Sequence, residues 1–161
     1  MRPLLTLATL LLAGPAAALS CLPSDVARTY GEIAKAPERY TMVVGKLTFD
    51  EGRLPRTDRN NQMATPARTD IPARLVGSSL QRDGFTGPYA RDITLRALCF
   101  GPWCAGGRSG AEVLAFVNLD TSPPTVEITP CGGHTFDASA DILDRALSCY
   151  RGEGCDPVER R

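Results

Sequence analysis

LCFGPWCAGGRSGAEVLAFVNLDTSPPTVEITPCGG, residues 98–133, carries three of the six cysteines, the single tryptophan and two alternating apolar runs. Val113, Ala115, Val117 and Leu119 fall on one face of an extended chain, with Glu112, Phe116 and Asn118 on the other. After a turn at Pro123 and Pro124, Val126 and Ile128 alternate with Thr125, Glu127 and Thr129. Period-two alternation sends one set of side chains to a core and the other to solvent. These runs therefore predict a β-hairpin with cysteines just outside both ends.

Upstream, residues 92–100 (DITLRALCF) predict another strand, with Ile93, Leu95 and Ala97 on one side. Residues 71–80 set Ala73, Leu75 and Gly77 against Arg74, Val76 and Ser78, and Asp83-Gly84 marks a turn. Residues 40–49 (YTMVVGKLTF) are the strongest strand, rich in β-branched and aromatic side chains, with Gly45 marking a bulge or sharp bend. Residues 50–70 are polar and without periodicity. They read as a long connection, or alternatively as a binding loop presenting Arg56, Arg59 and Arg68.

A helix precedes the first strand, with Ser24 as its N-cap, Asp25 in its first turn and Val26, Tyr30, Ile33 and Ala34 as its stripe; Pro37 stops it. A second helix begins near Asp137, which can cap it, and carries Ile142, Leu143, Ala146, Leu147 and Tyr150 on one face. Five short, bent strands with two flanking helices predict a mainly β fold. The expected form is a small five-stranded OB-like Greek-key barrel, and a sandwich is the alternative.

Residues 1–20 read as a signal peptide: a positive start at Arg2, a short apolar run at 4–13, and Ala18-Leu19-Ser20 as a cleavage site. Cleavage there makes Cys21 the first mature residue; a cut after Ala18 is the alternative. The remaining 161 − 20 = 141 residues suit one disulfide-stabilised domain, 21–155, followed by a charged tail, 156–161. Without Arg2, 17 basic side chains face 18 acidic ones, so the charge calls for neither nucleic acid nor an anionic membrane as partner. A monomer without a membrane span, periplasmic or secreted, is expected. Lipidation of Cys21 is the alternative, although Ala18 stands where a lipoprotein signal usually has Leu, and a lipidated cysteine leaves an odd thiol.

An oxidising destination makes disulfides the expected state of the cysteines. Cys99 with Cys104, and Cys149 with Cys155, can each close a tight loop, which leaves Cys21 for Cys131. Cys21 with Cys99 is the rival pairing, one of about fifteen possible connectivities. A redox role for Cys99 and Cys104 is the functional alternative. Thioredoxin-type chemistry, however, needs two intervening residues and a helix N-terminus to stabilise the thiolate, and here four residues intervene after a strand.

Trp103, beside Pro102, is either an exposed binding aromatic or a cover for its own disulfide. His134 is the only histidine, which excludes a multi-histidine zinc site, and a Cys131–His134 metal site would need free thiols. No Gly-x-Ser-x-Gly elbow supplies a nucleophile: Ser109 lies in a plain turn, and Asp141 and Asp144 read as solvated helix charges. Neither a catalytic constellation nor a cofactor or metal is expected.

Val113-Leu-Ala-Phe-Val117, a turn, Val126-Glu-Ile-Thr-Pro-Cys131 and a helix ending in Cys149 resemble the netrin-like module, most of all its version in the tissue inhibitors of metalloproteinases. Cys99 ahead of the hairpin, residues 40–47 with Gly45 as a first barrel strand, and a leading Cys21 follow the same order. The resemblance implies an OB-like barrel with a disulfide-tethered amino terminus, and the Cys21–Cys99 link is the closer to one of the family's. In those inhibitors the amine and carbonyl of the first cysteine chelate the protease's zinc, a role that falls on Cys21 here. The family's Cys-x-Cys start is Cys21-Leu22-Pro23 in this chain, with Leu22 in place of a small residue. The chain as a whole also resembles small exported proteins of Gram-negative bacteria that share a Cys-x-Gly-Pro-Trp-Cys segment.

The expectation is an exported, non-enzymatic binding or structural domain acting on a protein or envelope component, with Cys21, Leu22, Arg56, Arg59, Arg68 and Trp103 as the candidate interaction residues. A thiol–disulfide protein using Cys99 and Cys104 is one alternative. An inhibitor-like protein acting through Cys21 is the other.

Overall fold

The computed structural model describes residues 19–58, 60–61 and 64–158. It is mainly β, with helices α1 (Val26–Ile33) and α2 (Ala140–Arg151). The strands are β1 (Tyr40–Phe49), β2 (Arg68–Gln81), β3 (Gly84–Phe100), β4 (Trp103–Cys104), β5 (Ala111–Asn118), β6 (Thr125–Thr129), β7 (Gly132–Gly133) and β8 (Thr135–Asp137). Antiparallel pairings link β3 to β2, β2 to β1 and β1 to β5. From the far side, β6 pairs with β3 in parallel, Thr94 opposite Thr125 through Ala97 opposite Ile128.

That last pairing corrects the expected hairpin. β5 and β6 share only Asn118 opposite Thr125; β6 leaves β5 and spends its backbone on β3. The β5 edge released in this way is taken by β8, Val113 opposite Asp137 through Ala115 opposite Thr135. Periodicity identifies a strand's faces and carries no information about its neighbour.

β1 has the bounds its composition predicts. β2 begins at Arg68, before the expected Ile71, and β3 begins at Gly84, well before Asp92. Gly87 and Pro88 interrupt the strand signal in the first half of β3. They are nonetheless accommodated opposite Ser79 and Ser78 beside a register shift at Ser79/Leu80. Gly45 is not a bulge, since the β1–β2 register runs without a break from Val43 to Phe49. It is a site of close backbone approach.

The sheet has two cores. Its inner face gathers Val43, Leu47, Ile71, Leu75, Ile93, Leu95, Val113, Val117, Val126 and Ile128. Its outer face over β1 and β5 carries Met42, Leu114 and Phe116, which pack with Val26, Phe136 and Ala146 beneath the two helices. β5 is therefore buried on both sides from Val113 to Val117, which explains its unbroken apolar run.

The helix caps differ from expectation. Asp25, and not Ser24, caps α1, accepting from the Arg28 N–H at 2.9 Å. Ser139, and not Asp137, caps α2, accepting from the Ile142 N–H at 3.4 Å, because Asp137 is committed to β8. Gly152 closes α2 at φ 73°, a left-handed position that suits glycine. The described part of the tail docks on α1: the Val158 N–H donates to Asp25 at 3.0 Å.

Three disulfides are formed, Cys21–Cys131, Cys99–Cys104 and Cys149–Cys155, with no free cysteine among the described residues. The rival Cys21–Cys99 link is not formed. No helix among the described residues is long and apolar enough to cross a membrane.

Candidate interaction surface

Parallel pairing fixes what lies at one end of the sheet. β3 and β6 run side by side, and three residues beyond the Ala97–Ile128 pair they reach Phe100 and Cys131. The Cys99–Cys104 turn and the Cys131 link to the amino-terminal segment therefore share that end.

The β3–β4 turn is short and cross-linked. Cys99 faces Cys104, Phe100 faces Trp103, and Gly101 at φ 60° lets the chain reverse. Cys99 continues the inward set of β3 and is buried, so Phe100 must point outward; it is 42% exposed and Trp103 36%. Trp103 is thus a surface aromatic paired with a second one. The exposure of Phe100, a residue not among the sequence-predicted candidates, follows from its position one residue out of step with the inward set Ile93, Leu95, Ala97 and Cys99.

The loop before β2 packs against this turn. The Thr57 hydroxyl donates to the Pro102 carbonyl, and the Cys99 N–H donates to the Ala67 carbonyl at 2.9 Å. Arg56, beside Thr57, is exposed. Arg68 opens β2 opposite Leu98, with its Nε 3.7 Å from Asp70. Asp70 is held more tightly by Arg96, at 3.0 and 3.3 Å, and those hydrogen bonds keep its carboxyl below the usual range. Arg59 lies outside the described residues.

On the amino-terminal side, Cys21 is exposed and tied to Cys131, and Leu22 is 66% exposed. Ser24 passes over Gly132, where an added Cβ would lie 3.0 Å from its hydroxyl. Between this segment, residues 106–108 and the start of α2 opens a cleft of about 650 Å³. Phe49, Leu95, Val113 and Ile128 line it from the inner core, with Arg108 and Asp137 as charged members.

The remaining candidates have structural duties. The Ser109 hydroxyl accepts from the Phe49 N–H at 2.9 Å, and the Ser109 N–H donates to Glu51 at 2.6 Å. His134 donates its backbone N–H to Glu127 at 2.8 Å, and its ring meets Tyr40 edge-on with centroids 5.6 Å apart. Burial lowers the His134 imidazole pKa, against the opposing pull of Glu127 and Glu32. Asp141 and Asp144 are exposed on α2. Among the described residues, no group of three or more His, Cys, Asp or Glu side chains is placed to hold a metal ion. Compared with protein-family models, curated proteins and solved structures, the chain matches none.

Proposed function

We propose that this protein is an exported, disulfide-stapled domain of the OB type that binds another protein or an envelope component of the periplasm, without catalysing a reaction. The circuit of pairings supports the barrel reading: β1–β2–β3 antiparallel, β3–β6 parallel, and β5 joined to both β6 and β1. The binding reading rests on one observation, the exposed Phe100–Trp103 pair on a turn closed by Cys99–Cys104. Large aromatics on a rigid, cross-linked turn supply contact area at little cost in conformational entropy, as interface anchors do. Arg56, next to the Thr57 that bonds to the Pro102 carbonyl, flanks that anchor, and Arg68 opens β2 opposite Leu98.

A photo-crosslinking residue at position 103 or 22, in protein exported to the periplasm of a Gram-negative host, tests this reading. The expected result is a discrete adduct from both positions and none from position 82, at the opposite end of β3. Loss of the adduct in the Phe100→Ala/Trp103→Ala double variant completes the case. Equal labelling from position 82, or no adduct at all, overturns it.

Exposed Cys21 and Leu22, held by the Cys131 disulfide, favour inhibition of a metalloprotease as a second reading. Protein with a free amine on Cys21, assayed against a zinc endopeptidase, tests it, and unchanged proteolysis at saturating protein dismisses it. The redox reading has less support, because Cys99 lies within a strand and not in the first turn of a helix, where a thiolate would be stabilised.

A further inference from the structure

Three of the four tyrosines of the chain line a single cleft remote in sequence from the disulfide-closed turn. Tyr30 comes from α1, Tyr40 from β1 and Tyr150 from α2, with Phe116 of β5 and Met42 of β1 buried behind them. The cleft measures about 430 Å³, and Glu38 is its only charged lining residue. Among the described residues Glu38 has no ion-pair partner, while the adjacent Arg39 is turned onto Asp120 at 2.7 Å.

We propose that this cleft is a binding site for a small soluble quaternary ammonium compound of the choline class. Aromatic rings present a negative face to a cation, and several rings with a nearby carboxylate and no competing lysine or arginine are what an alkylated ammonium group requires. Methyl groups on nitrogen suit an apolar floor such as Met42 and Phe116, and they cannot make the hydrogen bonds a primary ammonium would lose on entering. The volume falls in the range of small-molecule sites, about 300–1,000 Å³. Burial first, and then the carboxylates of Glu38, Glu127 and Asp120, raise the Tyr40 phenol pKa against the hydrogen bond from Asn118, with Glu38 the carboxylate that lines the cleft. Tyr150, at 43% exposed, lines the cleft where it meets the protein surface.

Calorimetric and NMR titration of the oxidised protein with choline chloride tests the assignment, with 3,3-dimethylbutanol as the uncharged carbon analogue. The expected result is saturable one-site binding of choline, with shifts confined to the Tyr30, Tyr40 and Tyr150 rings and the alcohol at least about tenfold weaker. Glu38→Gln and Tyr150→Leu, both changes at exposed side chains, should each weaken choline about three- to thirtyfold. Equal binding of the alcohol overturns the proposal, since the cleft is then merely apolar. No saturation by choline, binding unaffected by both variants, or association only with phosphatidylcholine vesicles overturns it as well.

Discussion

Gly45 and Gly77 lie directly opposite each other where β1 pairs with β2, and neither position has room for a Cβ. A Cβ on Gly45 would lie 2.8 Å from the Gly77 Cα and collide with the Val76 carbonyl oxygen. One on Gly77 would lie 2.5 Å from the Gly45 Cα and collide with the Val44 carbonyl oxygen. The obstacles are backbone atoms of paired strands, which cannot swing aside as a flexible side chain can. Gly45→Ala or Gly77→Ala should therefore destabilise the fold by about 3 kcal/mol or more, read from urea unfolding midpoints. Gly31, helical and with nothing within 4 Å of an added Cβ, is the control. Gly31→Ala should stabilise by about 0.5–1 kcal/mol, and a loss equal to that at Gly45 would refute the packing explanation.

The disulfides should rank by the loop each one closes. Cys21–Cys131 spans 110 residues, against 5 for Cys99–Cys104 and 6 for Cys149–Cys155. Chain entropy assigns about 4–5 kcal/mol to the long link and about 2 kcal/mol to each short one. Paired Cys→Ser variants compared by urea unfolding give the order, and a long-link variant no weaker than the others would contradict it.

Stability should fall on acidification through His134. Burial sets its pKa below the ordinary histidine value, so the unfolded chain binds the proton more readily than the folded one. The His134 contribution is then complete above the unfolded value of about 6.5 and declines as pH drops below it towards the folded pKa. The sign is opposite to that of a histidine gaining a carboxylate partner. His134→Gln should flatten the fall of the unfolding midpoint below about pH 6.5. An unchanged slope in the variant would remove His134 as its source.

Asp70 gives a second, lower step of the same direction. Its carboxyl is held down first by the hydrogen bonds from Arg96, so its stabilisation is present above the unfolded carboxylate pKa and lost as pH falls through the lower folded one. Both side chains are partly exposed, and the pair should be worth less than about 1 kcal/mol. Arg96→Ala, compared with the parent chain in an acid unfolding series, checks this, and a cost of several kcal/mol would show that Arg96 is needed for packing.

Trp103 should report a solvated indole. It is the only tryptophan, so intrinsic emission comes from the β3–β4 turn alone. Acrylamide should quench it readily in the folded, oxidised protein, though less than in the unfolded chain. Trp103→Ala with Phe100→Ala should cost less than about 1 kcal/mol of stability, because both rings keep much of their surface in water. A larger loss would make the pair part of the core and remove the reason to regard it as an anchor.

Several features were legible because they are local. The β-branched and aromatic composition of Tyr40–Phe49 gives β1 its bounds, and cysteines five and six positions apart find each other across single turns. The second half of β1, from Gly45 to Phe49, announces which face is apolar. The cap of α2 was harder to read, because Asp137 and Ser139 both suit an N-cap, and Asp137 is withdrawn only by the pairing of β8 with β5. Phe100 was within reach of simple parity along β3, whereas the first half of that strand was hidden by Gly87 and Pro88.

By itself the sequence determined the period-two strand runs, the helix stripes and the short spacing within the Cys99/Cys104 and Cys149/Cys155 pairs. Each of these depends on residues within a few positions of one another. Only the tertiary structure decided that β6 lies parallel to β3, that Gly45 meets Gly77, and that Tyr30, Tyr40 and Tyr150 share one cleft. Those relationships join residues on separate elements, 10 to 120 positions apart. Which strand a hydrogen-bonding edge selects depends on the combined burial of both cores, a quantity that no local window of the chain contains.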